Sequence, residues 1–375
     1  MTVLPPTPDA MYGPASAFAA GSLAHSVFVA DVSGDARLDL VVAVPGQSSV
    51  AVLRGSGGRS FGSPTLYSTG AFPKHAIAVD VDGDGVLDIV TANQESGAGE
   101  DVSVLLGLGD GTFAPAVHFE ACANPHHVAV GNFDGGPYLD IAVACWGQAE
   151  IAMLQGVGGG AFGPYELHLS GGAPHSLIVA DLDGDGFEDI AVANLGGSSV
   201  GISYGNGDGT FEAVVLHPVG ASPHSIQVAD LRGSGVLDLV TANQGSDEVS
   251  VLLGSGGRDY TVAHFAAGSV PKDVAIGDLD GDGNLDLVTA NTHGNYPDGT
   301  LATDVSVLAG RGDGTFAPPV HFAVAGTPFS VAVADLDGDG RLDVVTANWH
   351  SNDVAVLYHQ GTDLAGESLR VSGPR

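Results

Sequence analysis

The sequence predicts an all-β fold, a seven-bladed β-propeller made of four-stranded antiparallel blades. An acidic nine-residue loop recurs seven times, beginning at residues 31, 80, 132, 181, 230, 278 and 335, at intervals of 48 to 57 residues. Short apolar runs and glycine-rich turns flank each loop, and a repeat of this length accommodates four strands. The two chain ends carry complementary parts of one repeat, which predicts a closed ring rather than an open solenoid with polar caps.

The clearest loop is DLDGDGFED at 181–189, with aspartates at positions 1, 3, 5 and 9. Its two glycines permit the positive φ angles that curl a backbone around a small ion. Calcium prefers oxygen ligands from carboxylates and backbone carbonyls. The loop therefore predicts a calcium site, with the backbone carbonyl of the position-7 residue as a further ligand.

Four of the seven loops are intact, and each predicts one calcium ion. The expected ligands are Asp80, Asp82, Asp84, Val86 and Asp88; Asp181, Asp183, Asp185, Phe187 and Asp189; Asp278, Asp280, Asp282, Asn284 and Asp286; and Asp335, Asp337, Asp339, Arg341 and Asp343. Weaker sites are expected at Asp31, Asp35 and Asp39, and at Asn132, Asp134 and Asp140. In the fifth loop, Arg232 and Ser234 replace ligands, so we expect it to bind no ion and the arginine to stand in for one. About four or five calcium ions follow from this pattern.

Within one repeat, strands are predicted at 175–181, 189–194, 200–205 and 212–219. The seventh repeat ends after a third strand at 353–361, and the N-terminal segment 12–25 aligns with the fourth-strand segment 162–175. The N-terminal strand is therefore expected to complete the last blade and close the ring, which removes exposed sheet edges. We interpret residues 1–375 as one domain, with repeats over about 11–361 and a tail at 362–375.

Composition excludes several classes of partner. The formal charge is −33, with only 11 Lys plus Arg among 375 residues, which argues against nucleic acid and anionic membrane surfaces. No apolar run approaches the length of a membrane span, and the N-terminus lacks a signal-peptide pattern. Weak calcium loops fill more readily outside cells, so we expect a secreted or extracellular monomer, with a cytoplasmic location as the alternative. Cys122 and Cys145 fit a disulfide, two separate buried thiols or a Cys/His metal site.

The loops, the following Leu-Asp-(Ile/Leu/Val)-Val-x-Ala-Asn pattern and the GDGTF turns at 109–113, 207–211 and 312–316 resemble the FG-GAP/VCBS repeats. The pattern is also similar to the calcium-loop propeller of integrin α-chains and to certain fungal propeller lectins. The resemblance covers about residues 11–361 and implies calcium in the loops between first and second strands. It implies no single activity, because such repeats serve as adhesion, lectin and enzyme scaffolds.

The face opposite the loops carries a second candidate site. Six residues before each loop, the positions predicted to ring the channel mouth hold His25, Lys74, His126, His175, His224, Lys272 and Phe329. The second strands end near them at Asn93, Asn194, Asn243, Asn291 and Asn348. These residues could simply hydrogen-bond strand ends. Alternatively, the histidines could hold Zn, Cu or Fe, or could serve with the lysines as general acid/base groups. The lysines disfavour a metal and favour a pocket for an anionic or polyhydroxylated ligand.

Further ligand-binding candidates on this face are Trp146, Trp349, His293 and His350, together with loop insertions at 94–101 and 292–304. Exposed tryptophans stack sugars, and long loops on one face of a scaffold commonly carry function. The leading hypothesis is a calcium-stabilised recognition module for a glycan or another polar or anionic small molecule, with a protein partner as a further possibility. The competing hypothesis is an enzyme using the histidine ring. No Ser-His-Asp pattern, phosphate loop, dinucleotide fingerprint or HExxH motif occurs.

Overall fold

The computed structural model describes residues 11–94, 100–295, 301–324 and 326–361. Within them, 28 strands form seven four-stranded antiparallel sheets, which confirms the predicted blades. One 3₁₀ turn, Pro45–Gln47, is the single helical element of the described residues, and none of their elements is an apolar helix of membrane-spanning length.

In blades 1 to 6 the strands follow the chain from the axis outward, and in blade 7 the N-terminal strand β1 is the outer strand. Blade 1 holds β2 Ser26–Ala30, β3 Asp39–Val44, β4 Ser49–Leu53 and β5 Thr65–Ser68; blade 2 holds β6 Pro73–Val79, β7 Asp88–Asn93, β8 Asp101–Leu105 and β9 Val117–Glu120. Blade 3 holds β10 Pro125–Gly131, β11 Asp140–Cys145, β12 Glu150–Gly158 and β13 Ala161–Leu169; blade 4 holds β14 Pro174–Ala180, β15 Asp189–Asn194, β16 Ser199–Ser203 and β17 Val215–Pro218. Blade 5 holds β18 Pro223–Ala229, β19 Asp238–Asn243, β20 Glu248–Gly254 and β21 Tyr260–Ala266; blade 6 holds β22 Pro271–Gly277, β23 Asp286–Asn295, β24 Leu301–Leu308 and β25 Val320–Ala323. Blade 7 holds β26 Pro328–Ala334, β27 Asp343–Asn348, β28 Asp353–Leu357 and the N-terminal β1 Ser16–Ala19.

Ring closure follows the predicted route. Strand β1 pairs antiparallel with β28, so that Ser16 lies opposite Val356 and Ala19 opposite Asp353. An isolated bridge between Tyr12 and His359 extends the contact. Both described chain ends are thus tied into one blade.

The hydrophobic core is divided into layers between adjacent blades. Every residue of β15 and β16 is buried, because each middle strand is covered by a blade on both sides. In one layer, Ala191 and Ile202 of blade 4 pack with Ile226 and Leu252 of blade 5. This packing explains the nearly continuous apolar runs of the sequence. Because the strands alternate in direction, all the acidic loops lie at one end of the ring, and the histidine-rich mouth lies at the other.

Candidate functional site

The acidic loops have the curled backbone that the glycines predict. In loop 4, residues 181–189, Gly184 and Gly186 have φ angles of +81° and +92°. Their amides donate to the two carboxylate oxygens of Asp181 at 2.8 and 2.9 Å. The amide of Asp185 donates to Asp183 Oδ1 at 3.1 Å. The backbone thereby directs several carboxylates towards one point.

The four intact loops gather three carboxylates each, with one oxygen per residue within 4.8 Å of the others. The groups are Asp80, Asp82 and Asp88; Asp181, Asp183 and Asp189; Asp278, Asp280 and Asp282; and Asp335, Asp337 and Asp339. An all-oxygen donor set suits a hard divalent cation. Burial raises the pKa of Asp189 to about 6, and the nearby charges of Asp183 and Asp185 add to the rise. A bound cation would stabilise these crowded carboxylates, so the residues present fit calcium.

The aspartate at position 9 has a structural role that sequence reasoning missed. Asp189 accepts hydrogen bonds from the amides of Leu182 at 2.8 Å and Gly205 at 2.9 Å, which ties the loop to the end of the third strand. The equivalent pair of bonds is formed by Asp39, Asp88, Asp140, Asp238, Asp286 and Asp343. These hydrogen bonds explain why aspartate occupies position 9 in all seven loops, including the loop in which no cation is expected.

The fifth loop contains the predicted arginine substitution. Arg232 donates to Asp238 Oδ1 at 2.7 Å and to the carbonyl oxygen of Gly254 at 2.6 Å. Arg232 Nε also donates to Asp238 Oδ2 at 3.2 Å, so both oxygens of this position-9 carboxylate are paired with a guanidinium of the same loop.

The two weaker loops differ from the intact ones. Among the described residues, Asp31, Asp35 and Asp39 are not one of the groups of three converging carboxylates. In the third loop, Asn132 donates to the carbonyl oxygen of Gly136 at 2.8 Å, and Asp134 accepts from Gln155. Calcium binding in these two loops stays a prediction.

The inner strands surround an axial cavity of about 870 Å³, whose end opposite the acidic loops is lined by histidines and lysines. The Nδ1 atoms of four buried histidines each lie against a backbone carbonyl of the next blade. The distances are 2.7 Å from His25 to Lys74, 3.1 Å from His126 to His175, 2.8 Å from His175 to His224 and 2.6 Å from His224 to Lys272. A carbonyl only accepts, so each Nδ1 carries the proton and each Nε2 is unprotonated. The ring therefore fastens adjacent blades, as the simplest reading of the sequence proposed.

The histidine geometry gives no support to a transition-metal site or to acid/base catalysis. Ring centroids of His175 lie 3.7 Å from those of both His126 and His224. Although these rings are close, no three histidine nitrogens of the described residues fall within 4.8 Å of one another, as a shared metal ion would require. Burial lowers the pKa of His175 to about 3 and lowers those of the other three ring histidines well below the usual value. Neutral imidazoles of this kind are poor proton donors near pH 7.

The chain has only two lysines, Lys74 and Lys272, and both lie at this cavity. Lys74 Nζ is 4.8 Å from the ring centroid of Phe72 and 5.0 Å from that of Trp349. Lys272 Nζ lies 5.4 Å from the Phe329 ring and donates to Gln244 Oε1.

Neither lysine has a carboxylate within 4 Å among the described residues. Burial lowers both pKa values to about 8, and the charge of Lys272 contributes to the shift at Lys74. The chain has 44 acidic residues, yet its two lysines are half-buried ammonium groups that form no ion pair with the described residues and that repel each other. Sequence reasoning noted them as unusual but could not show that they lacked partners.

The two tryptophans differ in accessibility. Trp146 is 43% exposed, and its ring lies 6.3 Å from that of His126. Trp349 is half-buried, with ring centroids 5.3 Å from Phe329 and 5.4 Å from His25. Trp146 can therefore stack on a ligand, whereas Trp349 chiefly supports Lys74.

The remaining two candidates on this face contribute less. His350 is exposed and its Nδ1 lies 2.7 Å from Thr327 Oγ1. His293 falls in β23, but its side chain lies outside the described residues, as do residues 95–99 and 296–300 of the two insertions.

The five asparagines lie inside the blades and not at the mouth, which corrects their assignment as ligand-binding residues. Asn93, Asn194, Asn243, Asn291 and Asn348 are all fully buried. In four of them, Oδ1 accepts from the threonine two residues earlier at 2.9 to 3.0 Å, and Nδ2 donates to a serine or aspartate of the third strand. In blade 4, Val192 replaces that threonine, and Asn194 Oδ1 has no hydrogen-bond partner.

Three blades bring together a serine, a histidine and an acid that no sequence pattern revealed. His118 Nδ1 lies 3.2 Å from Ser103 Oγ and 3.1 Å from Asp101 Oδ2. The same arrangement joins Ser250, His264 and Glu248, and Ser306, His321 and Asp304. All three serines are fully buried beneath the asparagine network, so none is accessible as a nucleophile. The arrangement is structural.

Cys122 and Cys145 form a disulfide, with Cα atoms 5.7 Å apart. The bond joins the segment before β10 to the end of β11. Of the three alternatives open from the sequence, the structure selects this one.

Six segments of the chain match the model of an FG-GAP-like repeat, at residues 31–91, 80–143, 132–192, 181–241, 230–289 and 294–346. Among solved structures, a lectin of Agrocybe aegerita that recognises non-reducing terminal N-acetylglucosamine is 19% identical, with a TM-score of 0.55 over 87% of this chain and 86% of that chain. BBS1N, solved in complex with ARL6DN, is 12% identical, with a TM-score of 0.63 over 94% of this chain and 97% of that chain. These identities establish similarity of fold alone. No curated protein sequence matches the chain.

Proposed function

Since the chain belongs to the FG-GAP repeat family, we propose that it is a calcium-stabilised recognition module that binds an anionic, polyhydroxylated ligand such as an acidic glycan at its channel mouth. The observation that carries the proposal is that the ammonium groups of Lys74 and Lys272, beside the axial cavity, form no ion pair within the part of the chain that the structure describes. Desolvated, mutually repelling cations are unfavourable unless a ligand compensates them. A carboxylate or sulfate between them would supply that compensation.

The surroundings of the lysines suit a sugar rather than a metal or a bare ion. Trp146 offers an exposed ring face, and aromatic side chains commonly pack against the apolar face of a sugar. The unprotonated Nε2 atoms of the ring histidines supply hydrogen-bond acceptors for hydroxyl groups. Nearby Lys74 and Lys272 would repel a metal cation, and this favours the recognition module over the metalloenzyme.

Calcium has a structural role in this proposal. When bound, it would neutralise the carboxylates that converge in the loops at 80–88, 181–189, 278–286 and 335–343. The backbone carbonyls of Val86, Phe187, Asn284 and Arg341 are the predicted additional ligands. Each filled loop would fix the connection between the first and second strands of its blade, and thus the inner strands that carry the mouth residues.

The similarity to a lectin of known sugar specificity is compatible with glycan binding, and the complex containing BBS1N is compatible with a protein partner for such a ring. We propose an extracellular location, because a disulfide is characteristic of oxidising compartments and calcium is abundant there. The net charge of −33 argues against nucleic acid as the partner.

An array of carboxylated, sulfated and neutral glycans, probed with the calcium-loaded full chain, tests the proposal. We expect binding to acidic glycans that is lost in Lys74→Gln/Lys272→Gln and retained in Arg311→Gln, which removes a positive charge from the turn at 310–316. Trp146→Ala should weaken binding about tenfold, as expected for a lost stacking contact. A blank array, or a binding pattern unchanged by the double lysine substitution, would overturn the proposal.

A further inference from the structure

Two arginines reach from one blade into the calcium loop of the preceding blade. Arg258 Nε lies 2.7 Å from Asp183 Oδ2, and Arg59 Nε lies 2.7 Å from Asp337 Oδ2. The arginines occupy equivalent positions in the SGGR turns 255–258 and 56–59, between the third and fourth strands of blades 5 and 1. The two aspartates are also equivalent, each at position 3 of its loop.

A buried tyrosine lies beside each arginine. The guanidinium carbon of Arg258 is 4.2 Å from the ring centroid of Tyr204, and that of Arg59 is 5.0 Å from the ring of Tyr358. Each tyrosine directly follows the third strand of the blade that contains the contacted loop. Aspartate, tyrosine and arginine thus form one three-part arrangement, repeated at loops 4 and 7.

Loop 2, residues 80–88, provides an internal reference without this arrangement. The turn that faces it carries Gly160 where the arginine stands elsewhere, and Leu106 replaces the tyrosine. The two residues pack closely, since a Cβ atom on Gly160 would lie 2.6 Å from Leu106 Cδ2. No arginine contacts Asp82 among the described ion pairs.

We propose that Arg59 and Arg258 are built-in counterions that lower the calcium affinity of loops 7 and 4 below that of loop 2, so that the ring fills in more than one step. The inference rests on the calcium binding proposed above. Asp183 and Asp337 both belong to the converging carboxylate groups. A guanidinium bound to one of these carboxylates offsets part of its charge and repels a divalent ion a few ångströms away. Calcium affinity in oxygen-ligand sites depends on the charge of the ligand set.

The effect should be larger at loop 7 than at loop 4. Arg258 also contacts Glu212 Oε2 at 2.6 Å, which offsets part of its own charge. Arg59 instead donates to the neutral carbonyl oxygen of His359 at 3.0 Å. We therefore expect loop 7 to be the weaker of these two sites.

Calorimetric titration of the calcium-free full chain with calcium chloride tests the inference. Arg59→Gln and Arg258→Gln should each tighten one site, by about tenfold for Arg59→Gln, which corresponds to removing a unit charge roughly 5 Å from a divalent ion in water. Arg59→Lys should leave the site weak because it keeps the charge. The control variant Arg311→Gln should bind calcium like the wild type, because Arg311 donates to the carbonyl oxygen of Phe316 and not to a loop carboxylate.

Each outcome is decisive. Calcium binding that is unchanged or weakened by Arg59→Gln would overturn the counterion role and would leave the proposed calcium sites intact. A wild-type chain and variants that all bind no calcium would overturn both this inference and the calcium part of the proposed function. Tightening in Arg59→Lys equal to that in Arg59→Gln would show that position rather than charge matters, and would likewise contradict the inference.

Discussion

The Nδ1 atom of His175 lies 2.8 Å from the carbonyl oxygen of His224 in the next blade. This contact belongs to a ring in which four histidines bind backbone carbonyls across blade boundaries. The bond fixes the tautomer, and burial keeps the imidazole neutral. The histidine ring therefore contributes hydrogen bonds that hold adjacent blades together. Its unprotonated Nε2 atoms can accept hydrogen bonds from a ligand.

The neutral ring predicts a steep loss of stability in mild acid. Burial lowers the pKa of His175 to about 3 and lowers the pKa values of His25, His126 and His224 well below 6.5. The unfolded chain takes up protons below about pH 6.5 that the folded chain does not, so stability falls as pH falls through that value. Each such histidine costs at most about 1.4 kcal/mol per pH unit.

Urea unfolding in chelator at pH 7, 6 and 5 measures this dependence. Asp189, Asp273, Asp286 and Asp343, whose pKa values burial raises to about 6, act in the opposite direction and offset part of the loss. His175→Gln should reduce the slope of stability against pH. Equal unfolding midpoints at pH 7 and pH 5 would contradict the prediction.

The unpaired Asn194 Oδ1 atom predicts a stabilising substitution. Val192→Thr would restore the hydroxyl that blades 2, 5, 6 and 7 place two residues before their asparagine, and we expect a gain of about 1 kcal/mol. Val143→Thr is the matched control, because blade 3 ends its second strand with Cys145 and offers no side-chain amide. That change should destabilise by about 1–3 kcal/mol. Thermal unfolding of both variants measures these effects. A lower melting temperature for Val192→Thr would contradict the stabilising role of the threonine–asparagine hydrogen bond.

Calcium stoichiometry should depend on which loop is altered. Asp181→Ser in loop 4 removes a carboxylate that converges with two others, so bound calcium should fall by one per chain. Asp230→Ser, at the same position of the loop that Arg232 fills, should leave the stoichiometry unchanged. Elemental analysis after dialysis measures both. Loss of one ion in Asp230→Ser would show that the arginine does not replace a cation.

Chelation should lower the melting temperature of the wild-type chain, because ions that bind only the folded state stabilise it by mass action. The ions would neutralise carboxylates that converge in each intact loop, where burial, and then the charges of Asp183 and Asp185, raise the pKa of Asp189. Thermal scans with and without calcium test this. A melting temperature independent of calcium would contradict a structural role for the ions.

Much of this architecture could be predicted from the sequence because repetition makes weak signals reliable. The spacing of the acidic loops predicted seven blades, and the alignment of residues 12–25 with 162–175 predicted the closing strand. The replacement of a ligand by Arg232 predicted an arginine inside the fifth loop, and there it pairs with Asp238. These conclusions depend on local spacing, which the repeats preserve.

The prediction failed where the outcome depended on contacts between blades. The asparagines were placed at the mouth because they end the second strands, but their side chains turn into the blade to meet threonine and serine partners. The pairing of Arg258 with Asp183, 75 residues apart, leaves no local pattern in the chain. The absence of an ion pair at Lys74 and Lys272 among the described residues likewise became visible only once neighbouring blades were in place.

The central claim is that Lys74 and Lys272 form an anion-binding pair, and NMR of the chain labelled with ¹³C-lysine tests it most directly. Only two lysine signals are expected, and a pH titration reads both pKa values. We predict values of about 8, which rise when glucuronate is added as both signals shift. Ordinary lysine pKa values near 10.4, with signals that do not respond to glucuronate or to sulfated sugars, would contradict the claim.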